Sequence, residues 1–388
     1  MLSPLSAWLR FSISKDPRKM ERHASTRGRN PAGPAIRLLF AACILIASLS
    51  VAFADGDLKF FDLGDLRLKS GDIIRDCRLA YRTFGELAPD KSNVVLFPTW
   101  LAATTQELMD LGFVGPGKIV NSSRYFVVAV DAFGNGVSSS PSTSKLQPGA
   151  LFPRFSVRDM VDAQYALLSR HLGLTGIYAI FGVSMGAMQA FEWIVSYPQF
   201  ITRAVAVSGT PHLTPYDRLV WNNEIQILDT VSAADGGKTA MRTMLPVHHV
   251  MSKTPEYFAR MNRNELTQLV SSLDASSTRY NTEDWKSQVQ AILGHSVFRQ
   301  FGGSEEKAAS AVRARTLVIA ARQDGMVYPG PAKSFARRLG AETAELAGDC
   351  GHLAAFCEKD QLREIVHEFL ESKQGIDSSK WKRQLLFR

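Results

Sequence analysis

Several patterns that define familiar classes of protein are missing from the sequence. Its 388 residues include only four cysteines and eight histidines, and no spacing of the two types matches a zinc site. There is no internal repeat, no P-loop and no G-x-G-x-x-G motif after a predicted strand. The low cysteine content excludes a disulfide-dense scaffold, and 45% hydrophobic residues exclude wholesale disorder. We therefore expect no metal ion, no nucleotide and no other cofactor.

Beyond residue 54, the sequence also lacks an excess of positive charge. The net charge is +8, but residues 1–54 hold eight Lys and Arg against two acidic residues. Residues 55–388 hold 37 basic and 35 acidic residues, so they are close to neutral. No basic patch remains there, and we expect no nucleic-acid partner.

The sequence has a single long hydrophobic run, at residues 38–54 (LLFAACILIASLSVAFA). A basic stretch precedes it, and it ends in Ala52-Phe53-Ala54, the small-residue pattern of a signal-peptide cleavage site. We predict a leader over residues 1–54, cleavage after Ala54, and a periplasmic or secreted protein with no stable membrane span after cleavage. The alternatives are an uncleaved anchor, for which the run is short, and a buried helix. Translation starts at Met1 or at Met20.

Strand-like apolar runs alternate with helix-like segments along residues 55–211 and again along 311–375. This alternation predicts an α/β fold with a mostly parallel central sheet and helices on both faces. Residues 212–310 contain no convincing strand and have the pattern of amphipathic helices. We expect them to form a helical cap insertion over the carboxyl ends of the strands, where such sheets bind ligands. Residues 376–388 are a polar, basic tail.

Residues 182–186 (GVSMG) match G-x-S-x-G, follow a predicted strand and open a predicted helix. That context is typical of a nucleophile elbow, in which a tight turn exposes a serine hydroxyl at the edge of the sheet. Small residues on both sides avoid clashes in the turn. The start of the helix offers N–H groups to developing negative charge. Ser184 is therefore the candidate nucleophile.

A serine nucleophile needs a histidine base and an acid that orients the histidine. After this kind of elbow, the acid comes first in the chain and the histidine second. His352 lies beyond the last predicted strand, and Asp324 lies on the loop after the preceding strand. Asp349 competes with Asp324, but its place beside His352 on one loop is more typical of a turn residue. We therefore predict a triad of Ser184, Asp324 and His352.

An oxyanion hole needs two N–H donors. Met185, the residue after the nucleophile, is expected to supply one of them. The other is expected from the loop after the predicted strand at residues 93–97, which reads PTWLAAT over residues 98–104. We assign it to Leu101, with Trp100 as the alternative.

Three cysteines and one pair of adjacent histidines have less specific patterns. Export would allow Cys350 and Cys357, which are close in sequence, to form a disulfide. Buried free thiols are an equally good interpretation, and for Cys77 nothing suggests a partner. His248 and His249 lack a third metal ligand, so we expect them to be structural or solvent-facing.

Residues 182–193 (GVSMGAMQAFEW), followed by Tyr197-Pro198, resemble the homoserine O-acetyltransferase (MetX)-like family of α/β-hydrolase fold enzymes. Residues 223–225 (NEI) resemble that family's motif at the start of the cap, and the likeness spans about residues 58–371. The resemblance implies an α/β-hydrolase fold and ping-pong acyl transfer through an acylated Ser184. Its substrates would be small-molecule esters, amides or acyl donors. A homodimer is compatible with it.

Two positions depart from the family's pattern. Homoserine transferases usually carry an Asp after the catalytic histidine, to hold the substrate amine, and an Arg shortly after the Asn-Glu motif, to hold the carboxylate. Leu353 stands at the first position, and Gln226 and Ile227 stand at the second. A zwitterion in a partly buried pocket needs paired charges, and acetyl-CoA is a cytosolic donor. We therefore predict an exported serine hydrolase that cleaves a small ester or amide with water.

Two other functions remain open on the sequence alone. One is an O-acyltransferase that moves an acyl group to homoserine or another hydroxyl acceptor by the same mechanism. The other is a non-catalytic binding protein built on a hydrolase scaffold.

Overall fold

The computed structural model describes residues 56–231, 237–372 and 376. The predicted leader, its cleavage site and all of the predicted tail except residue 376 lie outside the described residues. None of the helices within the described ranges combines the length and apolarity needed to cross a bilayer.

The described residues include ten strands. In chain order they are β1 Lys59–Arg67, β2 Ile73–Phe84, β3 Val94–Pro98, β4 Val114–Gly115, β5 Val120–Asn121, β6 Phe126–Val130, β7 Ile177–Val183, β8 Ile201–Val207, β9 Arg315–Ala321 and β10 Glu342–Leu346.

The same ranges include twelve α-helices. In chain order they are α1 Thr105–Asp110, α2 Val157–Ala166, α3 Met185–Ser196, α4 Pro215–Val231, α5 Lys238–Ser252, α6 Pro255–Ala259, α7 Arg263–Ser277, α8 Thr282–Leu293, α9 Glu305–Ala311, α10 Gly330–Leu339, α11 Ala354–Cys357 and α12 Lys359–Glu371.

Eight strands form one sheet in the order β1-β2-β6-β3-β7-β8-β9-β10. The pairs β1–β2 and β2–β6 are antiparallel, and every other neighbouring pair is parallel. The predicted mostly parallel central sheet is therefore confirmed.

Strand β3 illustrates why the sequences of the parallel strands are continuous apolar runs. Val94 and Leu96 belong to one buried apolar cluster, and Val95 and Phe97 belong to another. Successive side chains of a strand point to opposite faces, so these two clusters lie on the two sides of the sheet. Helices α2 and α3 contribute to the first cluster, and α1 and α12 to the second. All five residues of β3 are buried, because a parallel strand covered on both faces has no face turned to water.

The chain leaves the sheet at the carboxyl end of β8 and returns to it at β9. Helices α4 to α9 lie between these strands, and we call them the cap. Within the cap, α4 packs against α5 and α8, and α5 packs against α7. Trp285 and Val289 of α8 belong to the apolar cluster that includes α3, so the cap rests on the core through α8.

The turn from β7 into α3 brings three backbone segments into close contact. A Cβ atom on Gly182 would lie 2.1 Å from the carbonyl oxygen of Gly186, and one on Gly186 would lie 2.7 Å from the carbonyl oxygen of Pro98. Real Cβ atoms do not approach other atoms so closely. Only glycine therefore allows α3 to begin directly against the ends of β7 and β3.

This contact predicts the cost of a single added methyl group. Gly186→Ala should lower the free energy of unfolding by about 1–3 kcal/mol, the usual cost of overpacking, even though alanine favours a helix. Urea denaturation measures it. Gly176→Ala is the matched control, because its new Cβ would meet its nearest neighbour, the Phe200 carbonyl oxygen, at an ordinary 3.4 Å. Equal stability of the two variants would contradict the prediction.

Candidate active site

Ser184 occupies the turn between β7 and α3. Its backbone has φ 55° and ψ −121°, a combination that residues with a side chain rarely adopt. Such strain persists only where the surroundings fix the backbone, and the glycine contacts on both sides of Ser184 do so. The residue is 9% exposed and lines a pocket below the cap.

His352 lies on a short 3-10 turn, Gly351–Leu353, beyond strand β10. Its Nε2 lies 2.8 Å from Ser184 Oγ, and its Nδ1 lies 2.7 Å from Oδ2 of Asp324. The Oδ1 atom of Asp324 accepts hydrogen bonds from the backbone N–H groups of Met326 and Val327, at 3.0 and 2.8 Å. The carboxylate is thus held in one orientation, and the structure brings all three predicted triad residues together.

The competing acid, Asp349, has other partners. Its side chain pairs with the Arg260 guanidinium. Its carbonyl oxygen accepts hydrogen bonds from the backbone N–H and the hydroxyl of Thr254, at 3.3 and 2.7 Å. Asp349 therefore joins the turn before His352 to the cap, and Asp324 is the acid that contacts the imidazole.

Of the two residues predicted to form the oxyanion hole, Met185 directly follows Ser184, and Leu101 lines the same pocket as Ser184. Met185 is the first residue of α3, and Leu101 lies on the loop after β3. Within the described ranges, the backbone N–H groups of Met185, Leu101 and Trp100 have no hydrogen-bond partner. Trp100 is 7% exposed and packs against the rings of Phe113 and Phe356. The geometry thus retains Leu101 and its alternative Trp100 as candidate donors.

The pocket at Ser184 is small and mostly apolar, with a volume of about 90 Å³. Its walls come from Ser184, the loop after β3, the cap, Met326 and the residues around His352. The lining residues are Trp100, Leu101, Ala102, Ser184, Trp221, Leu245, His248, His249, Ser252, Lys253, Tyr280, Trp285, Met326, His352, Leu353, Phe356 and Cys357. Among the described residues, no carboxylate side chain lines this pocket.

Both histidines of the adjacent pair line the pocket. His249 is buried and His248 is mostly buried, so the expected structural role fits them better than the solvent-facing one. His248 and His249 share a face of α5 with Leu245 and Ser252. The spacing i, i+3, i+4, i+7 places these four on one side of a helix. That spacing was the available signal, because an apolar and a small residue on the same face indicate a buried face.

His248 belongs to a buried polar group in the cap. Its Nδ1 lies 2.8 Å from Oε1 of Glu224, whose side chain is fully buried. The other oxygen of Glu224 accepts a hydrogen bond from Trp285 Nε1 at 3.1 Å. A buried carboxylate needs such partners. Glu224 therefore fixes two side chains of the pocket wall without lining the pocket itself.

The cationic side of the pocket comes from Lys253. Burial lowers the pKa of Lys253 to about 8, against the opposing effect of Asp349. Burial, assisted by Lys253 and His248, lowers the pKa of His249 to about 3. At neutral pH, His249 is therefore uncharged and Lys253 is mostly protonated.

Cys350 and Cys357 form a disulfide, so this alternative, and not a pair of free thiols, describes the structure. The bridge spans the 3-10 turn that carries His352, and Cys357 lines the pocket. Cys77 is a buried free thiol, and burial raises its pKa to about 12.

Known proteins match both the fold and this site region. Residues 117–358 match the family model described as alpha/beta hydrolase fold. An ethyl acetate hydrolase of Pseudomonas veronii is 30% identical over 82% of this chain and 96% of its own length. A probable esterase of Corynebacterium glutamicum is 29% identical over 84% of this chain and 99% of its own.

A homoserine O-acetyltransferase of Methanosalsum zhilinae is 26% identical over 81% of this chain and 73% of its own length. The crystal structure of the acetyl esterase MekB superposes with a TM-score of 0.77, at 27% identity, over 82% of this chain and 97% of that one.

The chain belongs to the α/β-hydrolase fold family. It is an enzyme that cleaves esters or transfers acyl groups, not a non-catalytic binding protein. Its resemblance to the MetX-like enzymes of that fold is confirmed.

Because the Cys350–Cys357 disulfide closes the turn that carries His352, we predict that the enzyme's activity is sensitive to reducing agents. Replacing both cysteines, Cys350→Ser with Cys357→Ser, should lower stability by about 2 kcal/mol, because the closed loop is short. It should also lower kcat severalfold, because His352 is then held less firmly. Thermal unfolding and p-nitrophenyl acetate hydrolysis measure these effects.

Dithiothreitol provides the control for this prediction. It should slow the wild-type enzyme and leave the double variant unchanged. A reductant effect of equal size on both proteins would show that the bridge is not its cause.

Proposed function

We propose that this enzyme is an exported serine esterase that hydrolyses small, uncharged esters through Ser184, His352 and Asp324. Ser184 Oγ attacks the carbonyl carbon while its proton passes to His352 Nε2. The carbon–oxygen bond to the alcohol then breaks, and the alcohol leaves with that proton. Water attacks the acyl-enzyme and gives a proton to His352. The acid departs as Ser184 Oγ regains the proton.

The negative oxygen of each tetrahedral intermediate needs preorganised donors. We assign this role to the N–H groups of Met185 and Leu101, which have no partner among the described residues. The Met185 N–H is also the first of helix α3, where the helix dipole favours negative charge. Asp324 holds the imidazole so that Nε2 faces Ser184.

One observation favours water over homoserine as the acyl acceptor: no carboxylate among the described residues lines the pocket. The ammonium group of homoserine would meet Leu353 beside His352, and Lys253 would repel it. A buried ammonium without a partner is costly. The likeness to an ethyl acetate hydrolase and a probable esterase supports the same choice.

The size of the pocket supports short acyl groups. A volume of about 90 Å³ is far below the roughly 300–1,000 Å³ of pockets that take drug-sized ligands. The apolar walls favour uncharged acyl groups such as acetyl.

An O-acyltransferase is the second candidate, because a homoserine O-acetyltransferase matches over 81% of the chain. The first half-reaction is common to both functions. They differ only in what attacks the acyl-enzyme.

Measuring how the acyl-enzyme partitions between water and homoserine distinguishes the esterase from the O-acyltransferase. Residues 55–388 are mixed with p-nitrophenyl acetate and homoserine, and the acetylated products are identified by mass spectrometry. We expect acetate as the main product, since the pocket gives the homoserine ammonium no partner. O-acetylhomoserine in quantity would establish the transferase instead.

Two variants control this experiment. Ser184→Ala should form neither product and no covalent adduct with an active-serine probe. Asp324→Asn should lower kcat by about 10⁴-fold, as expected when the imidazole loses its orienting carboxylate. An active Ser184→Ala variant would overturn the proposed mechanism.

Export is part of the same proposal, and the supporting observation is the basic, apolar and Ala-x-Ala pattern of residues 1–54. Expressed with a carboxyl-terminal tag in a Gram-negative host, the chain should appear in the periplasm with a new amino terminus at Asp55. Ala52→Arg with Ala54→Arg should block cleavage. An uncleaved chain in the cytoplasm would refute export and leave the esterase assignment standing.

A further inference from the structure

We propose that two buried glutamines, Gln189 and Gln288, are positioning residues for the oxyanion hole. They hold opposite ends of residues 99–102, which we call the oxyanion loop. The proposal rests on the proposed function, because it assumes that this loop donates to the negative oxygen of the intermediate.

Gln189 holds the first end of the oxyanion loop. Its Nε2 donates to the carbonyl oxygen of Thr99 at 3.1 Å and to that of Met185 at 3.2 Å. Thr99 belongs to the loop, and Met185 carries the other candidate donor. One amide group therefore links both segments that supply the oxyanion hole, and it fixes the distance between them.

A relay of buried groups fixes the orientation of Gln189. Its Oε1 accepts a hydrogen bond from Gln164 Nε2 at 2.6 Å, and Gln164 Oε1 accepts one from Trp193 Nε1 at 2.8 Å. All three side chains are fully buried. Reversing the Gln189 amide would turn its oxygen toward two carbonyl oxygens, so only one orientation satisfies the network. The Gln and Trp of the sequence motif GVSMGAMQAFEW thus acquire a physical role.

Gln288, on helix α8 of the cap, holds the second end of the loop. Its Oε1 accepts a hydrogen bond from the backbone N–H of Ala102 at 2.7 Å, and its Nε2 donates to the carbonyl oxygen of Phe133 at 2.8 Å. The side chain is fully buried. A Cβ on Gly134 would lie 3.0 Å from Gln288 Cγ, so the core loop packs directly against this glutamine.

The backbone between the two glutamines is strained and therefore needs external support. Ala102 has φ 56°, in the left-handed region that favours glycine. The N–H groups of Trp100 and Leu101, which precede it, make no hydrogen bond to any described residue. Without the bond from Gln288, the Ala102 backbone could relax to a negative φ and turn the Leu101 N–H away from the pocket.

Small movements of this loop would matter greatly for catalysis. Oxyanion donors act only within hydrogen-bonding distance of the developing charge, and a misplacement of about 1 Å can cost about 100-fold in rate. Ground-state binding depends less on these donors. A positioning role therefore predicts a loss in kcat with little change in KM.

The experiment compares Gln288 with Gln147, which has the same hydrogen-bond pattern but is partly exposed. Gln147 also accepts a backbone N–H through Oε1, from Arg75 at 2.8 Å, and donates from Nε2 to a backbone carbonyl, that of Ile73, at 2.9 Å. It lies outside the pocket lining. Gln288→Met and Gln147→Met each remove both hydrogen bonds with little change in volume. Gln288→Glu retains the acceptor for Ala102.

We expect Gln288→Met to lower kcat for p-nitrophenyl acetate by about 10- to 100-fold, with KM within about twofold. The affinity for phenylboronic acid, which forms a tetrahedral adduct on Ser184, should fall by the same factor as kcat/KM. Gln288→Glu should recover part of the loss, and Gln147→Met should match the wild type. Unchanged boronate affinity, or equal losses in the Gln288 and Gln147 variants, would overturn the proposal.

Hydrogen–deuterium exchange tests the same proposal without activity. The peptide containing residues 99–102 should exchange faster in Gln288→Met than in Gln147→Met or the wild type. Unchanged exchange would refute a positioning role for Gln288. Gln189→Met, if it folds, should show the same change. If the wild-type protein neither hydrolyses p-nitrophenyl acetate nor binds phenylboronic acid, the proposed function is refuted instead. The exchange experiment would then still decide whether Gln288 holds the oxyanion loop.

Discussion

The contact of backbone with backbone where β7 turns into α3 is the constraint on which the rest of the site depends. No side chain fits between Gly182 and Gly186 or between Gly186 and Pro98, so α3 begins at one place relative to two strands. The strained φ of Ser184 and the direction of the Met185 N–H follow from that start. Asp324 and His352 reach the same point because they follow the parallel strands β9 and β10, whose carboxyl ends lie at the same edge of the sheet.

The sequence was informative where local patterns determine the structure. The central strands are apolar runs because both faces of the sheet are covered, and the elbow has a strict requirement for small residues. These features were enough to predict the sheet and Ser184, and the chain order of such triads then pointed to His352. The choice of Asp324 over Asp349 rested on the order of the loops and on the turn-like place of Asp349, and not on any contact. The structure supplies its physical reason, since the carboxylate of Asp349 pairs with Arg260 in the cap.

The cap was much less predictable, because its contacts join residues far apart in the chain. His248 and His249 have no distinctive spacing as metal ligands, and only their helical face reveals that they line the pocket. Nothing in the sequence distinguishes Gln288 from an ordinary polar residue of an amphipathic helix. Its role depends on Ala102, which lies 186 positions away in the chain. Lys253 likewise becomes important only because the fold buries it beside the His352 turn.

Helix α8 of the cap contacts both the pocket wall and the loop after β3. Asp284 accepts hydrogen bonds from the N–H and hydroxyl of Ser142, and Gln288 binds the oxyanion loop. Between them, Trp285 lines the pocket and donates to Glu224 on α4. The residue that contacts a substrate in the pocket, Trp285, and the residue that binds Ala102, Gln288, therefore lie on the same helix. Because the proposed oxyanion function of that loop acts only in the transition state, we expect selectivity among esters to be expressed in kcat more than in KM.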